Sequence, residues 1–120
     1  MIVETEIDKN IKELKQFSGT ERYHLGYMNI HYTDGVAFFL NNIAGWIITD
    51  ASVILKMKKE VMKEDFVNVK VIIKDQKAVI IYTDGNEKEL FKQSYNWTDL
   101  NDNVFNFYYT NNVLMLPSEY

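Results

Sequence analysis

Hydrophobic positions recur along this chain with two periods, helical in its first half and alternating in its second. Ile7, Ile11 and Leu14 stand at i, i+4 and i+7, behind Thr5 and Asp8, whose three-residue separation resembles a capping box. The spacing predicts a helix over about residues 6 to 16, stopping near Ser18-Gly19. Tyr23 to Tyr32 alternates loosely, with Leu25, Tyr27 and Ile30 apolar, and reads as a short strand or an extended connection. Thr33-Asp34-Gly35 then offers a cap to a second helix, whose Val36, Phe39, Leu40 and Ile43 share one face and which ends near Gly45. Between Trp46 and Lys63, Ile47, Ala51, Ile54 and Leu55 lie on one side, while Lys56, Lys59, Glu60 and Lys63 lie largely on the other. This is a third helix, or the second resumed after a glycine break.

At Phe66 the period changes to two. Val67, Val69, Val71 and Ile73 alternate with Asn68, Lys70, Ile72 and Lys74, as a half-buried strand requires. Turn residues at Asp75-Gln76-Lys77 and Asp84-Gly85-Asn86 separate strands predicted at Ala78 to Thr83 and Leu90 to Tyr95. Thr110-Asn111-Asn112 divides a last pair, Val104 to Tyr109 and Val113 to Leu116. Helices before strands predict an α+β fold: two or three N-terminal helices packed on a four- to five-stranded antiparallel meander, in a single domain over residues 1–120.

Composition narrows the chemistry. The chain has no Cys, so stability rests on packing without disulfides or thiolate metal sites, and no oxidising compartment is indicated. Glu4, Glu6 and Asp8 stand where a signal peptide would be basic and then apolar, so no export is expected and the cytoplasm is the default location. The apolar stretch Val36 to Leu55 is broken by Asn41, Asn42, Gly45, Thr49 and Asp50; it predicts core rather than a membrane span. A net charge of −4 and a pI near 5.1 argue against direct nucleic-acid binding. No cofactor is implied.

Few residues suggest chemistry. His24 and His31, seven apart in an extended segment, are placed on opposite faces and share no metal. His31 with Asp34 is the one base-and-carboxylate pairing at short range, although Asp34 also suits a helix N-cap. No serine carries a nucleophile-elbow pattern and no glycine run makes a phosphate loop, so an enzyme is not expected. Asp50 falls on or beside the apolar face of the third helix, where a carboxylate needs a partner. The favoured partner is backbone N–H, with Thr49 or Asp50 as a cap; the alternative is a cation or ligand in a pocket. Trp46, Trp97, Tyr108, Tyr109 and Tyr120 exceed what one small core requires, and Trp and Tyr are favoured interface anchors.

Four runs, Phe17-Ser18-Gly19-Thr20, Tyr32-Thr33-Asp34-Gly35-Val36, Ala44-Gly45-Trp46-Ile47-Ile48-Thr49-Asp50-Ala51 and Leu116-Pro117-Ser118-Glu119-Tyr120, stand in a fixed order. Together they resemble the motifs of a family of small bacterial and phage proteins classed as a domain of unknown function, over residues 10 to 120. The chain departs from that pattern at Gly45, where an aromatic residue is usual, and at Trp97-Thr98-Asp99-Leu100, where a Thr-Asp-Phe-Pro-like run is usual. The resemblance implies a setting in phages and mobile elements and no established activity. The expected function is a non-enzymatic protein binder, such as an anti-CRISPR inhibitor of a host defence complex, acting through Glu87, Glu89, Tyr95, Trp97, Asp99 and Asp102 on a basic partner. The competing expectation is a small-ligand or catalytic pocket of His31, Asp34, Trp46 and Asp50. A third is self-association through an edge strand at Val113 to Leu116.

Overall fold

The computed structural model describes residues 4–120; Met1, Ile2 and Val3, part of the run read as carrying no export signal, lie outside the described residues. The first helix, α1 (Glu6–Glu13), begins at the expected capping box. The Thr5 hydroxyl accepts the Asp8 N–H at 3.0 Å and the Asp8 carboxylate accepts the Thr5 N–H at 3.1 Å. A 3-10 turn at Leu14–Gln16 completes the predicted span. The loosely alternating segment resolves into two strands of two residues each, β1 (His24–Leu25) and β2 (His31–Tyr32), around a 3-10 turn at Tyr27–Asn29. Helix α2 (Asp34–Asn42) follows, with Thr33 rather than Asp34 at the N-cap. The helix expected from Trp46 to Lys63 is two pieces, α3 (Gly45–Met57) and α4 (Lys59–Met62), divided at Lys58, whose backbone is extended (φ −89°, ψ 118°).

Strands β3 (Phe66–Lys74), β4 (Lys77–Thr83), β5 (Glu89–Tyr95), β6 (Asn103–Thr110) and β7 (Val113–Met115) lie where the alternation predicts them. The α+β class holds, but the sheet is larger than expected and is not a meander. Its seven strands run β1-β2-β7-β6-β3-β4-β5, and β6 returns beside β3 instead of extending past β5. One pairing is parallel, β2 with β7, matching His31 to Val113 and Tyr32 to Leu114. That pairing also corrects the expected edge strand: Val113–Met115 has β6 on one side and β2 on the other. Two hairpins turn on two-residue loops, Asp75-Gln76 (φ 52° and 61°) and Asn111-Asn112 (φ 51° and 61°). Left-handed backbone at both positions matches the twist of the flanking strands.

The period-two pattern sorts the sheet into faces. Val67, Val69, Val71 and Ile73 of β3 are buried, as are Ala78, Ile80 and Tyr82 of β4 and Phe105 and Phe107 of β6. The fully buried Phe39 of α2 meets both Phe105 and Phe107 edge-on, each at 5.0 Å between centroids. Ile47, Ile48, Ala51 and Leu55 of α3 join the same core. Burying each large side chain contributes about 1.5 to 3 kcal/mol.

Tyr32 fastens the β1–β2 hairpin to α3. Ser52 commits its proton to the Ile48 carbonyl at 2.7 Å, so the Tyr32 hydroxyl must donate to Ser52 Oγ, 2.6 Å away. The same hydroxyl accepts the Tyr27 N–H at 3.0 Å. Gly26 is required here, because a Cβ at that position would run into the Tyr32 ring. Among the described residues no helix is long and apolar enough to cross a membrane.

Candidate functional site

Two places gather residues of the predicted site sets; Tyr108 and Tyr120 stand apart from both, packed with Phe66 in a cluster of three rings. The first surrounds the N-terminus of α2. Glu119, in a 3-10 turn at Pro117–Glu119, reaches back across the chain, and its carboxylate accepts three hydrogen bonds. They come from the Thr33 hydroxyl at 2.6 Å, the Gly35 N–H at 2.9 Å and the Leu116 N–H at 3.0 Å. A carboxylate there complements both the unpaired amides and the positive end of the helix dipole. Gly35 permits the approach: a Cβ would lie 2.5 Å from Leu116 Cδ1 and 2.6 Å from Glu119 Oε1.

Asp34, one residue into the helix, is held from the other side. Its N–H donates to Thr20 Oγ1 at 2.9 Å, and its carboxylate accepts the Glu21 N–H at 2.9 Å. The second carboxylate oxygen lies 2.8 Å from His24 Nε2. The His24 hydrogen bond, followed by that from the Glu21 backbone, holds the Asp34 carboxyl below its ordinary value. His24, not His31, is therefore the histidine that meets Asp34. His31 is exposed on β2 and donates its backbone N–H to the Asn112 carbonyl. Ser18, Gly19, Thr20, Glu21 and Asp34 line an open polar depression of about 470 Å³ beside the pair.

The second place is at the β5 edge of the sheet. Trp46 and Asp50 are four residues apart on α3 and so share a face. Tyr95, the last residue of β5, lies opposite the small Ala78 of β4. Its hydroxyl donates to the Asp50 carboxylate at 2.7 Å, and its ring packs against the Trp46 indole at 4.9 Å with the planes 63° apart. Asp50 is consequently not a helix cap. It stands inside α3, and its partner is a phenol from the sheet. Burial first, and then the Asp50 hydrogen bond, pushes the Tyr95 phenol above its ordinary value, so it remains a neutral donor.

Beyond Tyr95 the chain turns through Trp97, Thr98 and Asp99. Thr98 is buried; its N–H donates to the Gln76 carbonyl at 2.9 Å and its hydroxyl accepts the Leu100 N–H at 3.2 Å. These two bonds fix the loop, yet the Trp97 ring beside them is 66% exposed. Trp46, Tyr95, Trp97, Thr98 and Asp99 line one concavity of about 300 Å³.

Residues 8–120 match the model of the family of unknown function DUF6876. The chain belongs to DUF6876. No curated protein and no solved structure matches this DUF6876 chain.

The two predicted site sets are redistributed by the fold. Tyr95, Trp97 and Asp99, expected on an acidic surface, meet Trp46, expected in a separate pocket. Glu87 and Glu89 stay apart from them, since Glu89 begins the β5 strand that Tyr95 ends, about 20 Å away at roughly 3.3 Å per residue. Asp102 faces the neighbouring turn, where it accepts the Asp75 N–H at 2.9 Å. His31 and Asp34 do not converge with Trp46 and Asp50: β2 is next to one edge of the sheet, whereas Tyr95, which binds Asp50, is on the opposite edge strand. Reading the sequence missed His24, Thr20 and Glu119. Thr20 and Glu119 lie within recognised runs; His24 is ten residues from Asp34 and gave no short-range signal.

Proposed function

We propose that this protein is a non-enzymatic binding module that grips a partner protein at the β5 end of its sheet. The observation that carries the reading is Trp97: a large ring held open to solvent by a loop whose own backbone is fixed, beside Trp46, Tyr95 and Asp99. An exposed indole costs solubility unless something covers it, and Trp and Tyr are the side chains that most often dominate an interface. The nearby carboxylate favours a basic partner. A narrower version, an inhibitor of a host defence complex of anti-CRISPR type whose nucleic-acid channel is basic, rests on the resemblance to phage proteins.

The test is affinity capture from host lysate with the tagged native chain, Trp97→Ala and Asp99→Lys side by side. A stoichiometric protein retained by the native chain and lost from both variants supports the reading. Equal capture by all three would sink it. A second reading is favoured by the 2.8 Å contact between His24 and Asp34 beside a polar depression containing Ser18 and Thr20, an arrangement that suits a small polar ligand. Its sign would be perturbation of the His24 ring signals by small metabolites, absent in Asp34→Asn.

A further inference from the structure

The concavity at the β5 end has a composition that discriminates between ligands. Its walls are two indoles and a phenol, and among the described residues its only charged member is the Asp99 carboxylate and none of its side chains is cationic. Aromatic faces carry negative electrostatic potential and attract a cation most strongly when water is excluded, with Trp the best of the three rings. The Tyr95 hydroxyl donates a hydrogen bond to Asp50 and so joins a second carboxylate to that ring. Hydrogen bonding of this sense enriches the ring in electron density. The Trp46 and Tyr95 planes meet at 63°, so they form two walls of a corner rather than a stack, and Trp97 and Asp99 complete the lining.

We infer that this concavity is a cage for one cationic side chain, an arginine or a lysine, presented by the partner protein. The inference rests on the proposed binding function and adds the chemistry of the group that is gripped. Size agrees: roughly 300 Å³ is at the lower end of the range for small-ligand sites, enough for a guanidinium or ammonium head with its adjoining methylenes. Asp99 supplies the counter-charge at the rim, where exchange with solvent is easy. Asp50 acts through Tyr95 and touches no ligand.

The experiment uses the full chain labelled with nitrogen-15, with the indole N–H signals of Trp46 and Trp97 assigned by single Trp→Phe replacements. The probes are Gly-Arg-Gly, Gly-Lys-Gly and Gly-citrulline-Gly, the last matching arginine in shape without its charge, together with choline. Both indole signals should move with the arginine or lysine peptide and saturate. The citrulline peptide should bind about fivefold or more weakly. Asp99→Asn should weaken the charged peptides about threefold and leave citrulline unchanged. Equal affinity for arginine and citrulline, no movement with either cationic peptide, or binding of choline alone would overturn the cage for a protein side chain. These failures differ from failure of the proposed function. Capture of a partner that needs Trp97 but ignores citrulline replacement removes the cage and leaves the module, whereas capture indifferent to Trp97→Ala removes the module whatever the peptides do. Circular dichroism of each variant establishes that it folds.

Discussion

The two ends of the sheet spend similar residues differently. Beside β2, Thr20, Thr33, Asp34, Gly35 and Glu119 bind one another, and their polar atoms are used to close the chain on itself. Beside β5, Trp46, Asp50 and Tyr95 are also linked to one another, but the result faces outward and continues into an exposed Trp97. Both ends contain some of the four ordered runs, which lie within the residues 8–120 that match the family. The difference teaches that such a run need not display anything: at one end its polar atoms bind one another, and at the other its side chains adjoin an exposed indole.

Substitutions should therefore divide into those that cost stability and those that cost binding. The largest effect on stability is expected for Glu119→Ala, which strands two backbone amides and leaves the Thr33 hydroxyl only the longer bond to the Leu114 carbonyl, and should lower the unfolding free energy by about 2 to 4 kcal/mol in urea titrations. Gly35→Ala, pressed against Leu116 and Glu119, should cost about 1 to 3 kcal/mol by the same measurement. If either were neutral, the β2 end would lose its structural assignment. Trp97→Ala is the counterpart at the other end: stability within about 0.5 kcal/mol of the native chain, and partner affinity reduced tenfold or more, about 1.4 kcal/mol. Destabilisation comparable to that of Glu119→Ala would erase the comparison.

Tyr95→Phe sharpens it further. Losing the bond to Asp50 should cost about 1 kcal/mol, and a double-mutant cycle with Asp50→Ala should return most of that as interaction energy. The smallest expected effect concerns pH. Asp34 is held below its ordinary 3.8, first by the His24 hydrogen bond, so its stabilising contribution is complete above that value. It is lost as pH falls through the lower folded value. Asp34→Asn should therefore flatten the decline in urea midpoint between about pH 5 and about pH 3, while Asp99→Asn should leave that decline unchanged.

The periods in the sequence placed α1, α2 and β3 to β6, because each is long enough for its own pattern to repeat, whereas the three-residue β7 was placed by the turn residues Thr110-Asn111-Asn112 before it. They could not place β1 and β2. Two residues carry no period; β2 is held by β7, more than 80 positions later, and β1 by β2. The same limit explains the candidate site. Trp46 with Asp50, and Tyr95 with Trp97, are visible as local spacings, but their meeting depends on α3 lying over the end of β5. The sequence offers Asp34 either an N-cap role or the nearby His31; the hairpin instead pairs His24 with Tyr32 across β1 and β2 and so brings His24 back towards Asp34. Asp50 suits a cap on sequence alone because a break is expected at Gly45; the break is at Ile43 and Ala44, with Gly45 already the first residue of α3, and the phenol 45 residues away leaves no local signal.

The Glu119 contact also sets an order of events during synthesis. Gly35 and Glu119 are 84 positions apart. At roughly 5 to 20 residues per second, a ribosome adds the second roughly 4 to 17 s after the first. Until the last part of the chain is made, the Thr33 hydroxyl and the Gly35 N–H lack the Glu119 carboxylate, β2 has no neighbour on the β7 side, and the side chains of Val36 and Phe39 have no finished sheet to cover them. A nascent chain of this protein is thus an extended exposure of apolar helix to chaperones and proteases.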